Sequence, residues 1–169
     1  MASVPDEHRA QAPQSLQCAV VTVSDTRSLE TDSGGQTIVD MLKQAGHAVV
    51  CREILRDEPG PMRALLESLR SRGDVDAVLL TGGTGLSSRD QTVETVAGLL
   101  DKPLPGYGEL FRMLSFQQIG PAAMLSRALG GLMGPKVVLT MPGSRAGVQL
   151  AMQSLILPEL GHLVREARR

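Results

Sequence analysis

The chain has 169 residues, enough for one domain with a substantial core and little room for a second. Hydrophobic residues make up 42% and charged residues 21%, and the formal net charge is −1, which excludes a global basic field for nucleic acid. Two Phe, one Tyr and no Trp leave no base-stacking platform, and no stretch approaches the roughly 18 apolar residues of a membrane span.

Residues 1–15 carry Pro, Gln and charged side chains but no apolar h-region, so they predict a disordered tail rather than a secretory signal, and a cytoplasmic protein. LQCAVVTV, residues 16–23, is a continuous apolar, β-branched run and predicts a strand buried on both faces. Residues 25–35 are polar and read as the loop at its carboxyl end. Ile38, Val39, Met41, Leu42 and Ala45 share one face of a helix over 36–45, with Gly46 as its C-cap. A second strand is expected at 49–55, a loop at 56–60, and a helix at 61–72 spaced by Met62, Leu65, Leu66 and Leu69. Cys18 and Cys51 both fall in these apolar stretches and read as buried structural thiols, since two Cys without CxxC make neither a disulfide framework nor a zinc site.

The third strand, 75–80, runs straight into TGGTGLSSRD at 81–90, and a helix over 91–100 follows. Residues 103–108 break the alternation, and 109–118 read as a short helix. An antiparallel hairpin pairs 126–132 with 136–141 through a turn at 133–135, although Gly130 and Gly131 weaken its first limb. After Pro142-Gly143-Ser144 a helix runs through residue 160, and Pro158 should kink or break it. The order predicts a three-layer α/β sandwich over 16–169, with a mostly parallel central sheet, helices on both faces and a small antiparallel hairpin.

In open α/β sheets ligands collect where strands end at their carboxyl termini. TGGTG sits at such a position. Gly82, Gly83 and Gly85 allow close backbone approach, and successive amides with a helix start beyond them form an anion site. The Gly-Lys-Ser/Thr ending of a Walker A loop is missing, as is GxGxxG. Asp90 reads either as the N-cap of the next helix or as a metal ligand. Asp57 is either a solvated loop acid or the second carboxylate of a Mg²⁺ site, an ion that takes one or two carboxylates plus substrate phosphates. Arg89 is a surface side chain or an aid in offsetting phosphate charge. Ser144 fits a helix N-cap that exposes amides to a second anion, and Ser24-Asp25 fits an Asx-type turn or a pocket position.

VTVSDTR, TDSGG, TGGTGLSSRDQT, GYGELFRMLSFQQIG, AMLSRALGG and MPGSRAGVQLAM together resemble the MoaB/MogA family of molybdenum-cofactor biosynthesis proteins, across residues 16–163. ELFRMLSF and AMLSRA point to the MoaB branch. The resemblance implies a molybdopterin-binding α/β fold assembled as a homotrimer or homohexamer. It implies Mg²⁺- and ATP-dependent adenylylation of molybdopterin, with the product passed to a molybdenum-inserting enzyme. It places Asp57 and Asp90 at the acidic positions for metal and catalysis, and Gly82, Gly83, Thr84 and Gly85 in the phosphate loop. Ser24, Asp25, Ser126, Arg127, Pro142, Gly143 and Ser144 correspond to further pocket positions. A non-catalytic molybdopterin carrier or scaffold in the same pathway is the alternative that uses the same loop.

Overall fold

The computed structural model describes residues 13–169; residues 1–12 of the expected tail lie outside the described residues. One six-stranded sheet runs in the order β2-β1-β3-β6-β5-β4. Strands β1 (Gln17–Val23), β2 (Ala48–Leu55), β3 (Ala77–Thr81) and β6 (Lys136–Met141) are parallel. β5 (Gly130–Met133) and β4 (Lys102–Pro103) add on antiparallel, so the expected mixed sheet and hairpin are present.

Alternate residues of the central strands feed two cores, as the two-residue repeat of a strand requires. Cys18, Val20, Leu79 and Leu139 pack with helices α1 (Ser33–Gln44), α4 (Pro105–Ile119), α5 (Arg145–Ala151) and α6 (Leu157–Ala167). Val21, Val78, Leu80 and Val138 pack on the opposite face with α2 (Pro59–Ser71) and the segment around α3 (Thr92–Ala97). The chain leaves β1 through α1 on one face and returns to β3 through α2 on the other. That reversal opens a crevice at the carboxyl ends of β1 and β3.

Several expected boundaries move, each for a tertiary reason. α1 starts at Ser33, before residue 36, because the buried Asp32 caps it: Gly35 N donates to Asp32 Oδ1 at 2.8 Å. α2 begins at Pro59 rather than residue 61, with proline in its first turn, where the missing N–H is harmless. The same tolerance extends α4 back to Pro105, so 103–108 is not simply a break. Its Tyr107 and Phe111 are buried, and Tyr107 Oη donates to Thr140 O at 3.0 Å.

The expected helix over 91–100 shrinks to Thr92–Ala97. The first hairpin limb starts only at Gly130. Its glycines are required there rather than weak points: a Cβ on Gly130 would lie 2.6 Å from Leu139 Cδ2, and one on Gly131 2.6 Å from Lys102 O. Pro158 does not end the last helix. A π-helical turn, Met152–Ile156, precedes it, and the helix continues to Ala167. The wider turn leaves the carbonyl before the proline without need of its missing N–H. Cys18 is buried, with burial and the nearby Asp76 pushing its thiol up to about 12; Cys51, expected to be buried, is only half-buried.

Candidate functional site

The carboxyl ends of β1, β2, β3 and β6 bring four polar loops to one rim. β3 passes directly into the glycine loop, where Gly82 and Gly83 have φ of +90° and +61°, the left-handed region glycine tolerates. Neither could carry a side chain. A Cβ on Gly82 would sit 2.2 Å from Val23 O, and one on Gly83 2.4 Å from Asp57 Oδ2. The loop is therefore fitted against both neighbouring strand ends.

The backbone amides divide into two sets. Gly82 N donates to Met141 O, Gln91 N to Asp57 Oδ1 at 2.9 Å, and Thr92 N to Gly83 O at 3.0 Å. Among the described residues no acceptor takes the N–H of Gly83, Thr84, Gly85 or Leu86. The anion-binding capacity of the loop thus lies in 83–86. At the following helix start the Gln91 and Thr92 amides are already engaged.

Asp90 is not the N-cap of the following helix. The cap position is Gln91, and Asp90 Oδ2 instead accepts from Ser87 N at 2.9 Å within the loop. The amide of the cap residue Gln91 is held by Asp57 from beyond the β2 end, a long-range contact that local spacing cannot reveal. Asp57 is buried rather than solvated. Burial raises its carboxyl above the ordinary range, and the nearby Asp90 and Asp25 add to this, against the Gln91 amide. Asp57 N donates to Asp25 Oδ1 at 3.2 Å, while Arg89 Nη2 donates to Asp25 Oδ2 at 2.7 Å. The Arg89 guanidinium, with the Asp57 amide, holds Asp25 below the usual carboxylate range. Arg89 therefore pairs across the rim with the first loop. Asp25, Asp57, Gly83, Gly85 and Asp90 form one cluster.

The other expected positions lie around it. Ser24, Gly82 and Gly143 line a cavity of about 90 Å³ with Asp32, Thr81 and Arg27. Ser24 and Arg27 are shared with a groove of about 350 Å³ along the edge strand β2, where Asp25, Arg52 and Arg56 also stand. Ser24 Oγ accepts from the amides of Thr26 and Arg27 and shapes that loop. Ser126, Pro142 and Ser144 line a third cavity of about 100 Å³ beside α4. Ser144 is the expected N-cap: its Oγ accepts from Gly147 N at 3.1 Å. Pro142 O accepts from Thr81 Oγ1 at 2.9 Å, tying β6's end to β3's.

Arg127 grips the outside of the loop. Its Nε donates to Thr84 O at 2.9 Å, its Nη2 to Gly85 O at 2.6 Å, and it pairs with Glu94. Two carbonyls are thereby turned toward the arginine, away from any anion on the amide side.

Sequence reasoning missed Asp32, Arg52 and Thr92. Asp32 was legible in TDSGG as an acid three residues before a glycine amide. Its bonds from Thr22 Oγ1 at 2.8 Å and from Arg52 at 3.5 Å were not. Among the described residues no group of three or more His, Cys, Asp or Glu side chains could hold a metal ion, and no helix is long and apolar enough to cross a membrane.

Residues 19–162 match the family described as "Probable molybdopterin binding domain". The chain is 51% identical to molybdenum cofactor biosynthesis protein B of Bacillus cereus over 164 residues, covering 96% of this chain and 97% of that one. A crystal structure of a molybdenum cofactor biosynthesis protein B superposes with a TM-score of 0.90 at 51% identity, covering 94% of this chain and 99% of the other. The tungsten cofactor synthesizing protein MoaB from Pyrococcus furiosus does so with a TM-score of 0.82 at 33% identity, over 94% and 100% of the two chains.

Proposed function

Because the chain belongs to the MoaB/MogA family of molybdopterin-binding domains, we propose that it acts in molybdenum cofactor biosynthesis by transferring the adenylyl group of ATP to molybdopterin. The observation that carries this reading is the pairing of the glycine loop's free amides at 83–86 with the carboxylates of Asp57 and Asp90 on one rim.

Mg²⁺ suits this donor set. Two carboxylates without a third acidic, His or Cys side chain in ligating position match an ion shared with substrate phosphates, and Asp57 Oδ2 accepts no hydrogen bond among the described residues. When bound, the cation would supply charge neutralisation at the phosphates.

The reaction needs no protein nucleophile. A terminal phosphate oxygen of molybdopterin attacks the α-phosphorus of ATP. One P–O bond forms there, and the bond to the bridging oxygen breaks as pyrophosphate leaves with the electron pair. The amides of 83–86 hold phosphate oxygens without a reorganisation cost at the moment of reaction. Arg127 keeps that loop in shape through its two carbonyl bonds. Along the adjoining groove Arg27, Arg52 and Arg56 outnumber Asp25 and Glu53, which favours a polyanion over a neutral ligand. Positioning and electrostatics do the catalytic work.

The family resemblance further supports assembly as a homotrimer or homohexamer and delivery of the product to a molybdenum-inserting enzyme.

A pyrophosphate-release assay with ATP, Mg²⁺ and molybdopterin tests the proposal. The wild type should turn over, and Asp90→Ala should lose at least about a hundredfold in rate with an unchanged circular-dichroism spectrum. Pterin binding by calorimetry without pyrophosphate release would replace this reading with that of a carrier.

A further inference from the structure

Thr92 closes the TGGTGLSSRDQT segment and opens α3. Its side chain is 0% exposed, yet Oγ1 has no hydrogen-bond partner. Helical hydroxyls usually bond the carbonyl four residues back. Here that carbonyl, Ser88 O, accepts from Gln91 Nε2 at 2.9 Å instead. A valine would fill the same volume without stranding a hydroxyl, so packing gives no reason for threonine.

The surroundings supply one. A Cβ on Gly83 would lie 2.3 Å from Thr92 Oγ1 and 2.4 Å from Asp57 Oδ2. Both oxygens therefore close over the same side of Gly83 and lie beside one another, and neither has a protein partner. The free amides of Gly83 and Thr84 begin at the same place. An unpartnered hydroxyl and an unpartnered carboxylate oxygen beside a phosphate-binding backbone form a donor set for a hard cation.

We propose that Thr92 Oγ1 is the third protein oxygen on the Mg²⁺ that Asp57 and Asp90 hold against the nucleotide phosphates. The inference rests on the Mg²⁺ and ATP reading above. A hydroxyl in this role parallels the Ser or Thr that follows the lysine of a P-loop and ligates Mg²⁺. The unfilled hydrogen bond is then a feature of the metal-free protein that cation binding removes.

Calorimetric titration with ATP in EDTA and with Mg²⁺·ATP isolates the affinity gained from the metal. Thr92→Val should reduce that gain about tenfold or more while leaving ATP affinity in EDTA unchanged. The metal-free variant should melt at the same temperature as wild type or higher, because it no longer buries an unpaired hydroxyl. Thr92→Ser should restore the gain to within about twofold of wild type. A Thr92→Val protein that keeps the full gain overturns the assignment. One that loses ATP affinity equally with and without Mg²⁺ and melts lower has lost a structural contact, which also overturns it. Asp57→Asn separates the two levels of argument. If it keeps the gain, or if wild type has none, the metal reading fails; if only Thr92→Val keeps it, the threonine assignment alone fails.

Discussion

Gly83 concentrates the demands of the site in one residue. Its φ of +61° is left-handed, and the space beside its Cα is bordered by Asp57 Oδ2 and Thr92 Oγ1. An alanine there meets both obstacles. The left-handed conformation costs about 1–2 kcal/mol for a residue with a Cβ, and relief of the contacts raises the total to about 2–4 kcal/mol. Gly83→Ala should unfold at correspondingly lower denaturant concentration and lose nucleotide affinity, as measured by calorimetry. Gly60 is the matched control: it lies in α2, a Cβ there meets nothing within 4 Å, and Gly60→Ala should be neutral or slightly stabilising. A Gly83→Ala protein as stable as wild type would mean that the loop relaxes freely, and that its fit to Asp57 is incidental. The glycines of this loop were legible from sequence as backbone-approach positions. What each approaches was not, because Val23 O and Asp57 Oδ2 arrive from strands 59 and 26 residues away in the chain.

At the scale of elements, α3 is held by side chains that belong to other segments. Asp57 holds the amide of its cap residue Gln91, and Arg127, just before β5, joins Glu94 within it to the carbonyls of Thr84 and Gly85. The hydrogen bond from Arg127 holds the Glu94 carboxyl below its ordinary value. A lowered folded value means that the pair stabilises the fold in full above the unfolded pKa, about 4.3, and loses that contribution as pH falls through the folded value. Glu94 is 52% exposed, so solvent screening limits the contribution to less than about 1 kcal/mol. Glu94→Gln should therefore be slightly less stable than wild type at pH 7 in urea melts. The difference should shrink progressively on acidification, as pH falls from the unfolded value through the lower folded one. A difference that persists unchanged in acid would show that the carboxylate's charge is not what Arg127 uses. The strands of this fold were readable because 16–23, 75–80 and 136–141 are predominantly apolar on both alternating sets of positions, as burial on both faces requires. α3 was overextended because its apolar spacing continues to Leu100 although its last turns do not. β4 was invisible: a two-residue strand ending in proline exists only because Gly131 lets the backbones meet.

Across the described residues, α4 carries large apolar side chains on its outer face as well as its inner one. Tyr107 and Phe111 point into the core, while Leu110, Met113, Phe116 and Ile119 remain exposed, and Met124 and Leu125 continue the patch just beyond. An apolar patch of this kind on a free surface marks an interface. The trimeric or hexameric assembly proposed above would cover it with further copies of the same chain. Ile119 also lines the cavity that contains Ser126 and Ser144, so a neighbouring copy on α4 would wall one side of the pocket rim. Assembly would then be part of the site. Sedimentation should find a trimer or hexamer for the wild type. Met113→Glu combined with Phe116→Glu should give a monomer with the same circular-dichroism spectrum, because both side chains are about half exposed or more in the single chain and support no core. If assembly completes the pocket, this monomer should also bind molybdopterin more weakly by calorimetry, although neither substitution touches the glycine loop. A wild type that sediments as a monomer would remove the interface and leave the patch unexplained. A monomeric variant with undiminished pterin affinity would instead confine the whole site to a single copy.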